Sequence, residues 1–196
     1  PSVDPNDPAA LENELRSVLL KAGGKAFVKE NRDAFPELKE IIRIILDAGG
    51  VPCYPVLLDD VKGNLTEFEQ NYEFLYKELV QQGIFCIELI PGRNDMDKLR
   101  EFTDFFNSRN FIILFGTEHN TPELIPLRVT TRGNIPLDNN LKRTGYEGAC
   151  VIAAHQYRRA KGEKGFFPSE SSLPALKNTF IKEGDIVINH FIEHLH

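Results

Sequence analysis

The chain has 196 residues, of which 41% are hydrophobic and 27% charged, with a formal net charge of -6 and a pI near 5.4. Such a length fits one domain, or a large part of one, and can bury a core. The acidic balance argues against broad attraction to nucleic acid, and no apolar run reaches the roughly 18 residues of a membrane helix.

Three cysteines, Cys53, Cys86 and Cys150, form an odd set without C-x-x-C spacing. They indicate neither a disulfide framework nor a zinc ribbon, and a reducing, cytoplasmic compartment is expected. The first residues, Pro1-Ser2-Val3, carry neither an initiator Met nor a signal segment, which reads as a processed or fragment boundary.

In chain order, Asp7-Pro8 supplies cap and first-turn chemistry, and Leu11, Leu15, Val18 and Leu19 recur at helical spacing up to Gly23-Gly24. After Pro36 a second helix carries Leu38, Ile41, Ile42, Ile45 and Leu46 and stops at Gly49-Gly50. Val51 to Leu57 is rich in strand formers, but Pro52 and Pro55 remove ladder donors, so pairing through carbonyls or a bulge is expected. A third helix presents Phe68, Tyr72, Leu75 and Leu79 and ends at Gly83. Ile84 to Ile90 then reads as a buried strand interrupted by Glu88. The next helix carries Leu99, Phe102 and Phe106, and Phe111 to Phe115 forms the third strand.

Alternating helices and strands with short links predict an α/β fold of parallel βα units, as an open sheet or a barrel. From Thr121 onward the alternation dissolves; one helix near Glu147 to Lys161 and a short apolar piece around Ile186 to Ile192 are expected. The organisation is thus a βα unit over 1–120 and an extension over 121–196 packed on it. No internal repeat and no low-complexity tract is visible.

Ligands of parallel α/β proteins gather at the carboxyl ends of strands. Tyr54 with Asp59 and Asp60, then Glu88, then Glu118-His119-Asn120 stand at such positions. An ionised Glu88 among apolar neighbours requires a partner, either a cation such as Arg93 or a site. Glu118 and His119 offer the oxygen and nitrogen donors that suit zinc, manganese or iron, with Asn120 placed to orient a substrate. The competing reading makes Glu118 or Asn120 the cap of a turn begun by Thr121-Pro122.

His190 and His194 share a helix spacing but lie beside the end of the chain. His155 and the basic residues Arg158, Arg159, Lys161 and Lys164 read as a solvated helix end. A nucleic-acid patch there would bind with steep salt dependence. No P-loop, G-x-G-x-x-G or nucleophile elbow is present.

Residues 26–120 resemble the C-terminal half of a PHP (polymerase and histidinol phosphatase) domain. In that family Ala-Gly-Gly leads into a strand ending Ala-His-Pro; here Ala48-Gly49-Gly50 leads into Cys53-Tyr54-Pro55, with Tyr54 in place of the histidine. QQGIFCIELIP resembles the Gly-Ile-Glu strand with Glu88 at the glutamate, and Gly116-Thr117-Glu118-His119-Asn120 lies against Gly-Ser-Asp-x-His. The resemblance implies part of a distorted (β/α)7 TIM-like barrel with strand-end metals, whose missing half lies upstream or comes from another chain.

It further implies a metal-dependent hydrolase or phosphoesterase. In that reading Glu118 and His119 are metal-bound and catalytic, and Tyr54, Asp59, Glu88 and Asn120 meet a small phosphorylated molecule or sugar. Two lost histidines point to a one- or two-metal variant in which His119 acts from one residue away. The alternative is a barrel without metal that serves as a binding or scaffold module, with Tyr54 stacking on the ligand.

Overall fold

The computed structural model describes residues 2–59, 63–119 and 126–194. Helix α1 (Pro8–Leu15) begins where Asp7 accepts a hydrogen bond from the Ala10 amide at 3.0 Å, and a wider π turn, Arg16–Leu20, prolongs it. None of its residues is buried. Helix α2 (Leu38–Asp47) stops at Gly49, whose φ of 79° is a left-handed conformation that glycine adopts without Cβ strain. Ile42 packs toward the core, but Leu38, Ile41, Ile44 and Leu46 remain exposed.

Three strands, β1 (Cys53–Val56), β2 (Cys86–Leu89) and β3 (Ile112–Phe115), form a parallel sheet in the order β1-β2-β3. Helices α3 (Tyr72–Gln81) and α4 (Met96–Asn107) make the two crossovers, as parallel pairing demands. Each starts on a side-chain cap: Asn71 accepts from the Phe74 amide at 3.0 Å, and Asp95 from the Asp97 amide at 2.9 Å.

The ladder runs Cys53, Cys86, Ile112 through Val56, Leu89, Phe115 without interruption, so of the two arrangements expected at the prolines the bulge is absent. Ile112 donates to Phe85 O at 2.8 Å and Gly116 to Leu89 O at 2.9 Å, which aims the odd-numbered backbone of β2 at β3. Cys86 and Glu88 therefore face β1 between Pro52, Tyr54 and Val56. The missing N–H of Pro55 falls on the outer edge, where it costs no ladder bond.

Beyond β3, an antiparallel ribbon pairs β4 (Thr130–Thr131) with β5 (Ile135–Pro136) around Gly133. The helix expected over Glu147 to Lys161 is longer: α5 (Asn139–Ala160) begins under an Asp138 cap that accepts from Leu141 N at 2.9 Å. The expected short terminal piece is the end of a 21-residue helix, α6 (Leu173–Glu193). Its polar middle, Lys177 to Asp185, hides the apolar stripe; Lys177, Phe180, Gly184 and Val187 all turn inward.

Glycines set how closely these helices approach. A Cβ at Gly148 would enter the Ile113 carbonyl, so α5 lies against the backbone of β3 and shields that edge. A Cβ at Gly184 would overlap the Cys150 carbonyl, which brings α6 and α5 into backbone contact.

The core joins Leu75 and Leu79 of α3, Ile87 and Leu89 of β2, Phe102 and Phe106 of α4, Ile113 of β3, Val151 of α5 and Phe180 of α6. Edge-on ring pairs at 5.2 Å (Phe106–Phe111) and 5.9 Å (Phe85–Phe111) link α4 to the strand starts. Each such side chain contributes about 1.5–3 kcal/mol when fully buried, so stability resides here and not in α1 or α2.

Lys177 carries its charge into this core, donating to Asn107 Oδ1 at 2.8 Å and to Phe111 O at 2.9 Å. It ties α6 to the turn between α4 and β3. No helix among the described residues is long and apolar enough to cross a membrane.

Candidate functional site

The carboxyl ends of β1, β2 and β3 open onto one rim, each followed by a different polar device. After β1 the chain turns through Leu58, whose φ of 63° is left-handed, and the turn is held by Glu69. The Glu69 carboxylate accepts from Leu57 N at 3.1 Å, from Leu58 N at 2.7 Å and from the Thr66 hydroxyl. Only 2% of Glu69 is exposed, yet three donors replace its lost hydration. Sequence reasoning passed over this residue, because nothing in Leu65-Thr66-Glu67-Phe68-Glu69 marks one glutamate of the two as inward.

Tyr54 donates weakly to the same carboxylate, at 3.5 Å, and its ring leans on Phe68 at 6.2 Å. Burial, followed by the Glu69 charge and hydrogen bond, pushes its phenol up to about 12. Part of the ring is thereby engaged within the chain.

Asp59 follows with a fully buried side chain. Its Oδ1 accepts from Asn94 Nδ2 at 2.8 Å, and its Oδ2 from Arg132 at 2.9 Å. Asn94 Nδ2 also donates to Leu57 O at 2.9 Å, and Arg132 also donates to Arg93 O. Asp59 thus braces the end of β1 to the turn after β2 and to the β4–β5 ribbon. Neither Asn94 nor Arg132 announces this role in sequence; the ribbon brings Arg132 73 residues back to Asp59.

Glu88 requires a correction. It is exposed, whereas Cys86, Ile87 and Leu89 are buried, because its face of the sheet opens toward the rim at Pro55 and Glu88. The carboxylate lies over Gly116, where a Cβ would stand 2.9 Å from Glu88 Oε1. A charge in water needs no partner, and Arg93, its expected mate, pairs elsewhere.

Arg93 Nη1 reaches Glu118 at 3.3 and 3.4 Å. The neighbouring His119 turns its Nε2 to Thr117 Oγ1 at 2.8 Å. A guanidinium thus stands beside the carboxylate that would hold a metal. Among the described residues no group of three or more His, Cys, Asp or Glu side chains is arranged to hold a metal ion. Asp60 and Asn120 lie outside the described residues.

The remaining candidates stand away from the rim. His190 and His194 stack at 4.3 Å on the last turn of α6. Arg158 pairs with Glu183 and covers Phe180 at 4.5 Å, while Lys161 bonds the Tyr157 hydroxyl at 2.6 Å. Arg158 and Lys161 of this basic helix end are thus committed to separate partners. His155 is buried and not solvated, a second correction. The Cys86 thiol is pushed well above its ordinary range by its hydrogen bond with Cys53 and by burial, which leaves it a poor nucleophile.

Comparison with protein-family models, with curated proteins and with solved structures finds no match to this chain.

Proposed function

We propose that the chain is part of a PHP-like barrel that works as a binding module, taking a small phosphorylated molecule or sugar at its strand-end rim. One observation carries this reading: the two candidate carboxylates, Asp59 and Glu118, each face an arginine. A metal centre needs such carboxylates to converge on a cation with nitrogen donors beside them. Carboxylates already neutralised by guanidinium groups serve as braces that hold arginines in place. Arg93 remains 44% exposed in its side chain, the planar donor array that suits a phosphate, and Thr117 and His119 stand on the neighbouring strand end.

The three parallel strands and the pattern shared with the PHP family support this reading at the level of parallel βα units; α5 covers the outer edge of β3, so only the β1 edge is left for a further strand. In the alternative reading, a metal-dependent phosphoesterase, Glu118 would have to leave Arg93 and turn toward the side of His119. Elemental analysis with a phosphoesterase screen, alongside calorimetry with a panel of sugar phosphates and nucleotides, separates the two. The binding reading expects no stoichiometric metal, no turnover with added manganese or zinc, and a phosphorylated ligand whose affinity falls at least tenfold in Arg93→Ala. Bound metal together with turnover that Glu118→Ala and His119→Ala abolish would replace it with the hydrolase.

A further inference from the structure

His155 joins three segments that are distant in sequence. It sits on α5, its Nε2 donates to Gly49 O between α2 and β1 at 2.9 Å, and its Nδ1 accepts from Phe166 N at 2.9 Å in the α5–α6 connection. These two partners dictate the tautomer: a carbonyl can only accept, and an amide N–H can only donate. The ring crowds Gly165, where a Cβ would stand 2.7 Å from Cε1, and meets Phe167 edge-on at 5.5 Å. Phe166 in turn packs on Phe180 of α6 at 5.3 Å, and with Phe167 and Pro168 it walls an apolar pocket of about 240 Å³ beside Val51, Pro52 and Phe85.

We infer that His155 is an acid-sensitive latch on the α5–α6 connection, released when a proton takes the Nδ1 lone pair that now receives the Phe166 amide. The added proton sets two N–H groups against each other, so the imidazolium cannot keep the bond. Among the described residues no carboxylate compensates the new charge. Arg159, from the same helix, spreads its guanidinium against Gly49 and repels a cation on the ring. Asp47 at the end of α2 and Glu163 and Lys164 in the connection are exposed to solvent, and Glu183 of α6 is committed to Arg158. Burial acts in the same direction as Arg159 and holds the imidazole below its ordinary range. The closed form binds fewer protons than the open one, so opening grows as pH falls below about 6.5, the value of a free histidine. Release moves Phe166 and Phe167 and unroofs the pocket at the lower end of the sheet.

Amide hydrogen exchange of the whole chain, resolved by residue and corrected for intrinsic rates, reads the latch directly. The Phe166 amide is expected to be less protected than the Ile87 amide in the sheet centre, because the latch opens at a lower cost than global unfolding, and to lose protection about tenfold per pH unit below 6.5. His155→Asn leaves an acceptor near the Nδ1 position but cannot be protonated there, so the pH dependence should disappear. Constant protection of Phe166 from pH 7.5 to 5.5, the same pH dependence in His155→Asn, or protection of Phe166 equal to that of Ile87 at every pH would each overturn the latch. Should the variant fail to fold, ring titration by nitrogen-detected NMR on the native chain decides. The Nε2–H tautomer with a midpoint below the free value supports it, and an ordinary midpoint sinks it.

Discussion

Asp59 and Glu88 are carboxylates on one rim with opposite surroundings. Asp59 has no exposed side-chain surface and holds two nitrogen donors, so its removal takes a buried acceptor from both Arg132 and Asn94. Asp59→Ala is expected to cost about 3 kcal/mol in denaturant unfolding, whereas Glu88→Gln, in water, should stay within about 0.5 kcal/mol. Tyr54 supplies a spectroscopic check of the Glu69 buckle. Its absorbance titration should have a midpoint near 12, and Glu69→Gln should lower that midpoint because the charge and the acceptor both weaken. An ordinary phenol midpoint in the native chain would show that Tyr54 faces solvent.

At the scale of elements, the contact between α5 and α6 depends on Gly184 and that between α5 and β3 on Gly148. Neither helix can retreat cheaply, since Val151, Ala154 and Phe180 are fully buried between them and the sheet. Gly184→Ala is therefore expected to cost about 3 kcal/mol, at the upper end for an overpacked core, and to lower the midpoint of thermal unfolding. A loss near zero would mean that the helices sit farther apart. An exposed glycine such as Gly63, with no atom within 4 Å of a Cβ but a φ of 81°, would respond through backbone strain alone.

Across the whole molecule, apolar side chains divide into two populations. The core from Leu75 to Phe180 is sealed, while Ile41 and Ile44 on α2 and Val18 and Leu20 before Gly23 are exposed. Ile87→Ala removes a fully buried side chain and should cost about 3 kcal/mol with the cavity it leaves. Ile44→Glu should shift the stability of this chain by no more than about 0.5 kcal/mol, and calorimetry on the two variants checks the contrast. A large loss in Ile44→Glu would show that α2 is covered in solution.

Much of the fold was legible along the chain because its signals are local. Glycine stops at Gly49 and Gly83, the cap at Asp7, and apolar runs at β2 and β3 act through neighbours within a turn or two. Helix–strand alternation then implies parallel pairing, since a short link cannot return an antiparallel strand across a helix. The tail was less legible. The stripe of α6 contains Lys177 and Gly184, which read as polar and breaking until Asn107, Phe111 and Cys150 are seen opposite them.

The residues Tyr54, Asp59, Glu88, Glu118 and His119 could be placed at strand ends from sequence, but their partners could not. Which of two glutamates turns inward, whether Arg93 meets Glu88 or Glu118, and whether His155 is wet or buried depend on residues tens of positions away. Sequence alone determined the alternating elements up to β3 and the rim, through short-range backbone chemistry. Tertiary structure alone decided the charge pairing on that rim, because burial and ion contacts exist only once distant segments share one space.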